Sequence, residues 1–136
     1  MPFTYATAIN CIDGRIQLPV IHWIKNNFGV DHVDNITEAG PNRVLAQQVE
    51  PNLTNVKYNL GISVFGHGSR VVTLSGHHDC ARNPVPRDTQ IAQVMEGIKT
   101  LKSWDFPVRI IGLYINEDWE VEVLYDSDAE PMPLPA

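Results

Sequence analysis

Two short stretches of this chain combine residue types that can bind a metal and handle a proton. His77-His78-Asp79-Cys80 places an imidazole and a thiol within one short loop. Cys11, far earlier in the chain, can add a second sulfur. Two thiolates and one imidazole suit zinc, which binds tetrahedrally at roughly 2.3 Å to sulfur and 2.0–2.1 Å to nitrogen. Three protein ligands leave the fourth position open, the arrangement of a catalytic zinc. Asp13 and Arg15 follow Cys11 at alternate positions, so in an extended segment all three side chains point the same way. A carboxylate there can close the fourth metal position or hydrogen-bond a water, and the guanidinium can hold it off the metal with a bidentate pair. The plainer alternatives are two buried thiols and a structural ion pair. Asp79 reads as a cap for the following turn. His78 reads as a residue near the metal or facing solvent.

The elements that must position these residues alternate between short apolar runs and helical patterns. Tyr5–Cys11 reads as a buried strand. A helix opens at Leu18-Pro19, with the proline in its first turn, and Gly29 ends it. Residues 30–37 alternate as a second strand, and 41–50 are weakly helical. Asn52 is placed to cap a helix that carries Leu53, Val56, Leu60 and Val64 at helical spacing. Gly66 and Gly68 end that helix, and His67 between them reads as part of its closing turn. Residues 70–75 are β-branched, as a central strand requires, and 76–84 form a polar loop at its carboxyl end. Residues 87–102 carry the clearest helical stripe. Residues 107–115 form another buried strand, and 120–125 a half-exposed one.

Helices between apolar strands imply an α/β fold, with a mostly parallel central sheet, helices on both faces and an antiparallel edge strand at the end. Sites in such sheets form at the carboxyl ends of strands. Cys11 and the His77–Cys80 loop therefore meet if their strands are neighbours.

The pair Cys11-Ile12-Asp13-Gly14-Arg15 and His77-His78-Asp79-Cys80 resembles the two signature motifs of the β-class carbonic anhydrases, Cys-x-Asp-x-Arg and His-x-x-Cys. The resemblance extends more faintly from Ala8 to about Tyr125. It implies a β-carbonic-anhydrase-like fold, one Zn2+ per chain on Cys11, His77 and Cys80, and a catalytic pair of Asp13 and Arg15. The implied reaction is reversible hydration of carbon dioxide to bicarbonate by a zinc-bound hydroxide, with carbon dioxide and bicarbonate as the small-molecule partners. It also implies a site at a subunit interface, hence a homodimer or dimer-based homo-oligomer. The chain departs from the family in places. Only ten residues precede Cys11, where the family carries a helical arm. Thr37-Glu38-Ala39-Gly40-Pro41 keeps only Ala-Gly of the usual Arg-Asn-Ala-Gly-Asn, and Ala81 follows Cys80 where glycine is usual. A related zinc hydrolase acting on carbon disulfide or carbonyl sulfide, and a non-catalytic zinc-stabilised assembly or regulatory domain, are the alternatives.

Composition bounds these readings. The 136 residues include 16 acidic and 10 basic side chains, for a net charge of −6. That balance argues against a nucleic-acid binder, which presents a basic face. No apolar run approaches the ~20 residues that span a bilayer, so no membrane partner is expected. Residues 1–10 do not read as a secretory signal, and the expected compartment is the cytoplasm. The length suits a single zinc-binding α/β domain over residues 1–126, followed by a loose Pro-rich acidic tail at 127–136.

Overall fold

The computed structural model describes residues 4–129. The chain runs β1 (Tyr5–Cys11), α1 (Gly14–Phe28), β2 (His32–Glu38), α2 (Pro41–Gln47), α3 (Asn52–His67), β3 (Val71–His77), α4 (Arg87–Ser103), β4 (Arg109–Ile115) and β5 (Val121–Asp126). The strands form one sheet in the order β2-β1-β3-β4-β5. β1 pairs in parallel with β2 and β3, and β3 with β4, while β5 closes the edge antiparallel to β4. This is the α/β architecture expected from the sequence.

The sheet is covered on both faces, which is why its inner strands read as continuous apolar runs. On one face Ile16, Val20 and Ile24 of α1 pack on Ala6, Ala8, Ile111, Leu113 and Ile115. On the other, Val44, Leu45, Val56, Leu60, Val94 and Ile98 from three helices pack on Ile9, Val72, Leu74 and Ile110.

Several elements differ from their expected bounds. Helix α1 begins at Gly14 rather than Leu18, because Asp13 caps it by accepting the backbone N–H of Arg15. Pro19 therefore lies inside the helix. β3 runs on to His77, so Gly76 and His77 belong to the strand and not to the loop after it. Asn52 is the first helical residue of α3 rather than its cap, and its amide donates to Glu38 instead. β2 is displaced by one or two residues from 30–37, to His32–Glu38. Of the segment 127–136, residues 127–129 form a 3₁₀ turn whose Ser127 hydroxyl accepts the N–H of Ile110. Residues 130–136 lie outside the described residues. Among the described residues, no helix is long and apolar enough to cross a membrane.

Candidate metal centre

The site sits where the carboxyl ends of β1 and β3 adjoin. Those strands pair as Thr7↔Val72, Ala8↔Thr73 and Ile9↔Leu74. Continued by two residues, that register sets Cys11 beside Gly76, one short of His77. Cys80 returns to the same place because the loop after His77 is anchored. The N–H of His78 donates to Ile115 O at 2.9 Å, Gln90 Nε2 to Asn83 O at 2.8 Å, and Asn83 Nδ2 to Gln93 Oε1 at 2.6 Å.

The result is a cluster in which one ligand atom each of Cys11, His77 and Cys80 lies within 4.8 Å of the others, all three residues buried. The donor set fits zinc on two independent counts. First, the Sγ atoms of Cys11 and Cys80 stand 3.9 Å apart, as free thiols. Two sulfurs bound tetrahedrally at roughly 2.3 Å from one zinc would be about 3.8 Å apart. Second, His77 Nδ1 lies 2.7 Å from the carbonyl oxygen of His78, which can only accept, so Nδ1 carries the proton. His77 Nε2 is left with its lone pair, buried and without a hydrogen-bond partner. A ligating histidine held by a carbonyl on its other nitrogen is the usual arrangement in metal sites.

Electrostatics at the cluster favour one thiolate ahead of the other. The neighbouring Cys80 thiol, as hydrogen-bond donor, lowers the pKa of Cys11 against its burial, with help from His77 and from the backbone of Gly40 and Asp13. Cys80 is pushed up by that same thiolate and by burial. Burial opposes charge on His77, but the Cys11 thiolate and the His78 carbonyl outweigh it and raise its pKa. A divalent cation would remove the conflict by favouring both thiolates.

Asp13 and Arg15 stand beside this cluster, and neither belongs to it. Their alignment with Cys11 does not come from an extended segment, as the sequence suggested. It comes from the helix start: Asp13 is the N-cap and Arg15 lies in the first turn, with Gln17 Nε2 tying the Cys11 and Asp13 carbonyls at 2.8 and 2.9 Å. Arg15 Nη2 meets Asp13 Oδ2 at 2.7 Å and Nε meets Oδ1 at 3.0 Å, a bidentate pair. Arg15 thereby holds the Asp13 carboxyl down to about 2.

Several neighbours escape a reading of the sequence. Asp79 does not act as a turn cap; its carboxylate pairs with Arg15 at 3.2 Å. Trp119, from the β4–β5 hairpin, stacks on the Arg15 guanidinium at 4.5 Å. Gly40 has φ of +72°, and a Cβ there would meet Asn83 Cβ at 3.0 Å. That contact explains why the glycine of Ala39-Gly40 stands at this turn. His67 does end α3, and its Nδ1 contacts Asp34 at 2.7 Å, well away from the metal cluster in the fold. A cavity of about 440 Å³ opens next to Cys80, lined among others by His78, Asp79, Arg87, Tyr114 and Glu117.

A five-stranded, mostly parallel sheet with a buried Cys–His–Cys cluster at adjoining strand ends defines an α/β protein of the β-carbonic-anhydrase type. Residues 1–125 match the family described as "Putative carbonic anhydrase", and the chain belongs to that family. Solved structures share the fold. A β-carbonic anhydrase of Trichomonas vaginalis aligns with a TM-score of 0.62 at 15% identity, over 88% of this chain and 82% of that one. A carbonic anhydrase of Streptococcus mutans gives 0.60 at 19% identity, over 92% and 86%. One of two tetrameric β-carbonic anhydrases of Sordaria macrospora gives 0.61 at 13% identity, over 91% and 82%. No curated protein sequence matches the chain.

Proposed function

We propose that this protein is a zinc-dependent lyase that reversibly hydrates carbon dioxide to bicarbonate, with Cys11, His77 and Cys80 as metal ligands and Asp13 and Arg15 as the catalytic pair. The observation that carries the reading is the unpartnered, buried Nε2 of His77 facing two thiols at tetrahedral spacing, beside a carboxylate held by an arginine. Cys11, His77 and Cys80 would hold zinc there, which would supply a Lewis acid able to bring the pKa of water to about 7.

The chain's own residues supply the rest. Asp13, ionised throughout the neutral range, accepts a hydrogen bond from the attacking water and so turns a lone pair towards carbon dioxide. Arg15 keeps that carboxylate charged and fixed in direction. Water contributes its oxygen to the new C–O bond, and its proton departs towards solvent, where the exposed ring of His78 stands. Ile12 and Leu18 stand exposed on the stretch of chain that carries Cys11, Asp13 and Arg15. A second copy covering these two side chains would wall the site, and the tetrameric state of the Sordaria relatives supports a dimer-based assembly.

The test is stopped-flow hydration of carbon dioxide on protein whose zinc content is assayed in the same sample. Fast turnover that scales with zinc is expected, as is its near-complete loss in Asp13→Asn with zinc retained. Full zinc loading without turnover from neutral to alkaline pH would overturn the assignment.

A further inference from the structure

Arg15 is held by more than the carboxylate it serves. All but one of its guanidinium N–H groups are engaged. Nε and Nη2 go to Asp13, Nη1 goes to Asp79 Oδ2 at 3.2 Å, and Nη2 also donates to Asp79 O at 3.0 Å. The indole of Trp119 covers one face of the group, with Cζ 4.5 Å from the ring centroid. The guanidinium is thus gripped along two edges and one face, although its side chain is 45% exposed.

The two gripping residues share a backbone property. Asp79 has φ of 59° and Trp119 has φ of 60°. The left-handed region is uncommon for any residue but glycine, and for a bulky side chain it is an outlier. Such conformations persist where the surroundings over-determine them, and they gather at functional sites. For Trp119 the surroundings are explicit. Its N–H donates to Asn116 O at 2.9 Å, while Asn116 Oδ1 accepts the N–H groups of Asp118 and Glu120 at 2.9 and 3.1 Å. Asn116 therefore folds the hairpin so that its tryptophan turns back over Arg15. For Asp79, the His78 N–H bonded to Ile115 and the return of the chain to Cys80 fix the loop on both sides.

We infer that Asp79 and Trp119 are positioning residues: they lock Arg15 in the one orientation that holds Asp13 aimed at substrate rather than at the metal. The inference rests on the carbon dioxide hydration proposed above. Its physical basis is that an exposed arginine has many rotamers, and a carboxylate whose partner wanders is drawn to a nearby dication. Asp79 supplies charge and two acceptors, and Trp119 a face favourable to a cation. Both act through Arg15.

The experiment compares Asp79→Asn, Trp119→Leu and Trp119→Tyr with the parent in the full chain loaded with zinc. One readout is independent of turnover: the Nε–H resonance of Arg15 by 1H–15N NMR, its solvent exchange and its ring-current shift. In the parent this proton should exchange slowly and resonate upfield. Asp79→Asn should speed the exchange, and Trp119→Leu should also abolish the upfield shift. In both, kcat should fall about tenfold, with KM within about twofold and zinc unchanged, as expected for a lost aiming contact. Trp119→Tyr, which restores an aromatic face, should recover to within about threefold of the parent. Parent-like Nε–H exchange in both Asp79→Asn and Trp119→Leu overturns the inference, as does altered exchange with unchanged kcat. Should Trp119→Leu fail to fold, Asp79→Asn decides alone, because its side chain is exposed. A parent that hydrates no carbon dioxide sinks the proposed reaction, and the NMR arm still decides whether the clamp exists.

Discussion

Gly76 precedes the candidate ligand His77 on β3, and replacing it with alanine should destabilise the protein more than its size suggests. A Cβ at this position would lie 2.9 Å from Gln90 Oε1, 3.0 Å from Asn42 Nδ2 and 3.2 Å from Val94 Cγ2. The first two atoms are partners in a 2.8 Å hydrogen bond, and both residues are 1% exposed. The new methyl would have to wedge that bond apart where no water replaces it. Losing a buried hydrogen bond costs about 1–3 kcal/mol, and overpacking a full core costs about the same again. Removing a glycine from the unfolded chain returns only about 0.4–1 kcal/mol. The expected net loss is about 3 kcal/mol, a large share of the roughly 5–15 kcal/mol of a domain. Urea unfolding of metal-free protein should show it as a midpoint lowered by about 1.5–2 M. Gly14→Ala is the control: nothing lies within 4 Å of its Cβ, and it should be neutral or slightly stabilised. Gln90 also anchors the loop carrying Cys80 through Asn83 O, so Gly76→Ala should weaken zinc binding too. A midpoint for Gly76→Ala within about 0.2 M of the parent, which is a cost below about 0.5 kcal/mol, would refute the packing argument, and so would equal losses in both variants.

Cys80→Ser should leave the protein with substoichiometric zinc after dialysis and a melting temperature insensitive to chelator, because metal binding is coupled to folding; full occupancy by atomic absorption would contradict the ligand assignment. Arg87 holds the Glu122 carboxyl down to about 2 from 4.5. The pair should therefore add stability above about pH 4.5 that fades as pH falls towards 2. With Arg87 47% exposed, Glu122→Gln should cost at most about 1 kcal/mol at neutral pH, and a deficit that grows in acid would reverse the sign of this reasoning. Light scattering should report a dimer or a multiple of it; a fully active 15.2 kDa monomer would exclude a shared site.

The layered α/β plan was legible in the sequence because it depends on local pattern. Apolar runs such as Tyr5–Cys11 and residues 107–115 read as buried strands, and the stripe over residues 87–102 as a packed helix, and the structure forms each of them. The ligand types and their places at strand ends could be read for the same reason. The local geometry of residues 11 to 15 is not legible in the sequence. Alternation along an extended chain and the first turn of a helix both bring Asp13 and Arg15 near Cys11, and spacing alone does not tell them apart. The Asp13 cap on Arg15 N–H decides it.

The order of elements, the sheet's burial on both faces and the residue types able to hold a metal follow from local sequence, because periodicity and side-chain chemistry act within a few residues. Long-range packing sets β1 next to β3, so that Cys11 reaches His77 and Cys80. It alone left His77 Nε2 without a partner, set Asn42 and Gln90 under Gly76, and folded Asp79 and Trp119 over Arg15. Those contacts join residues tens of positions apart, and their energies depend on distance and burial, which no local pattern encodes.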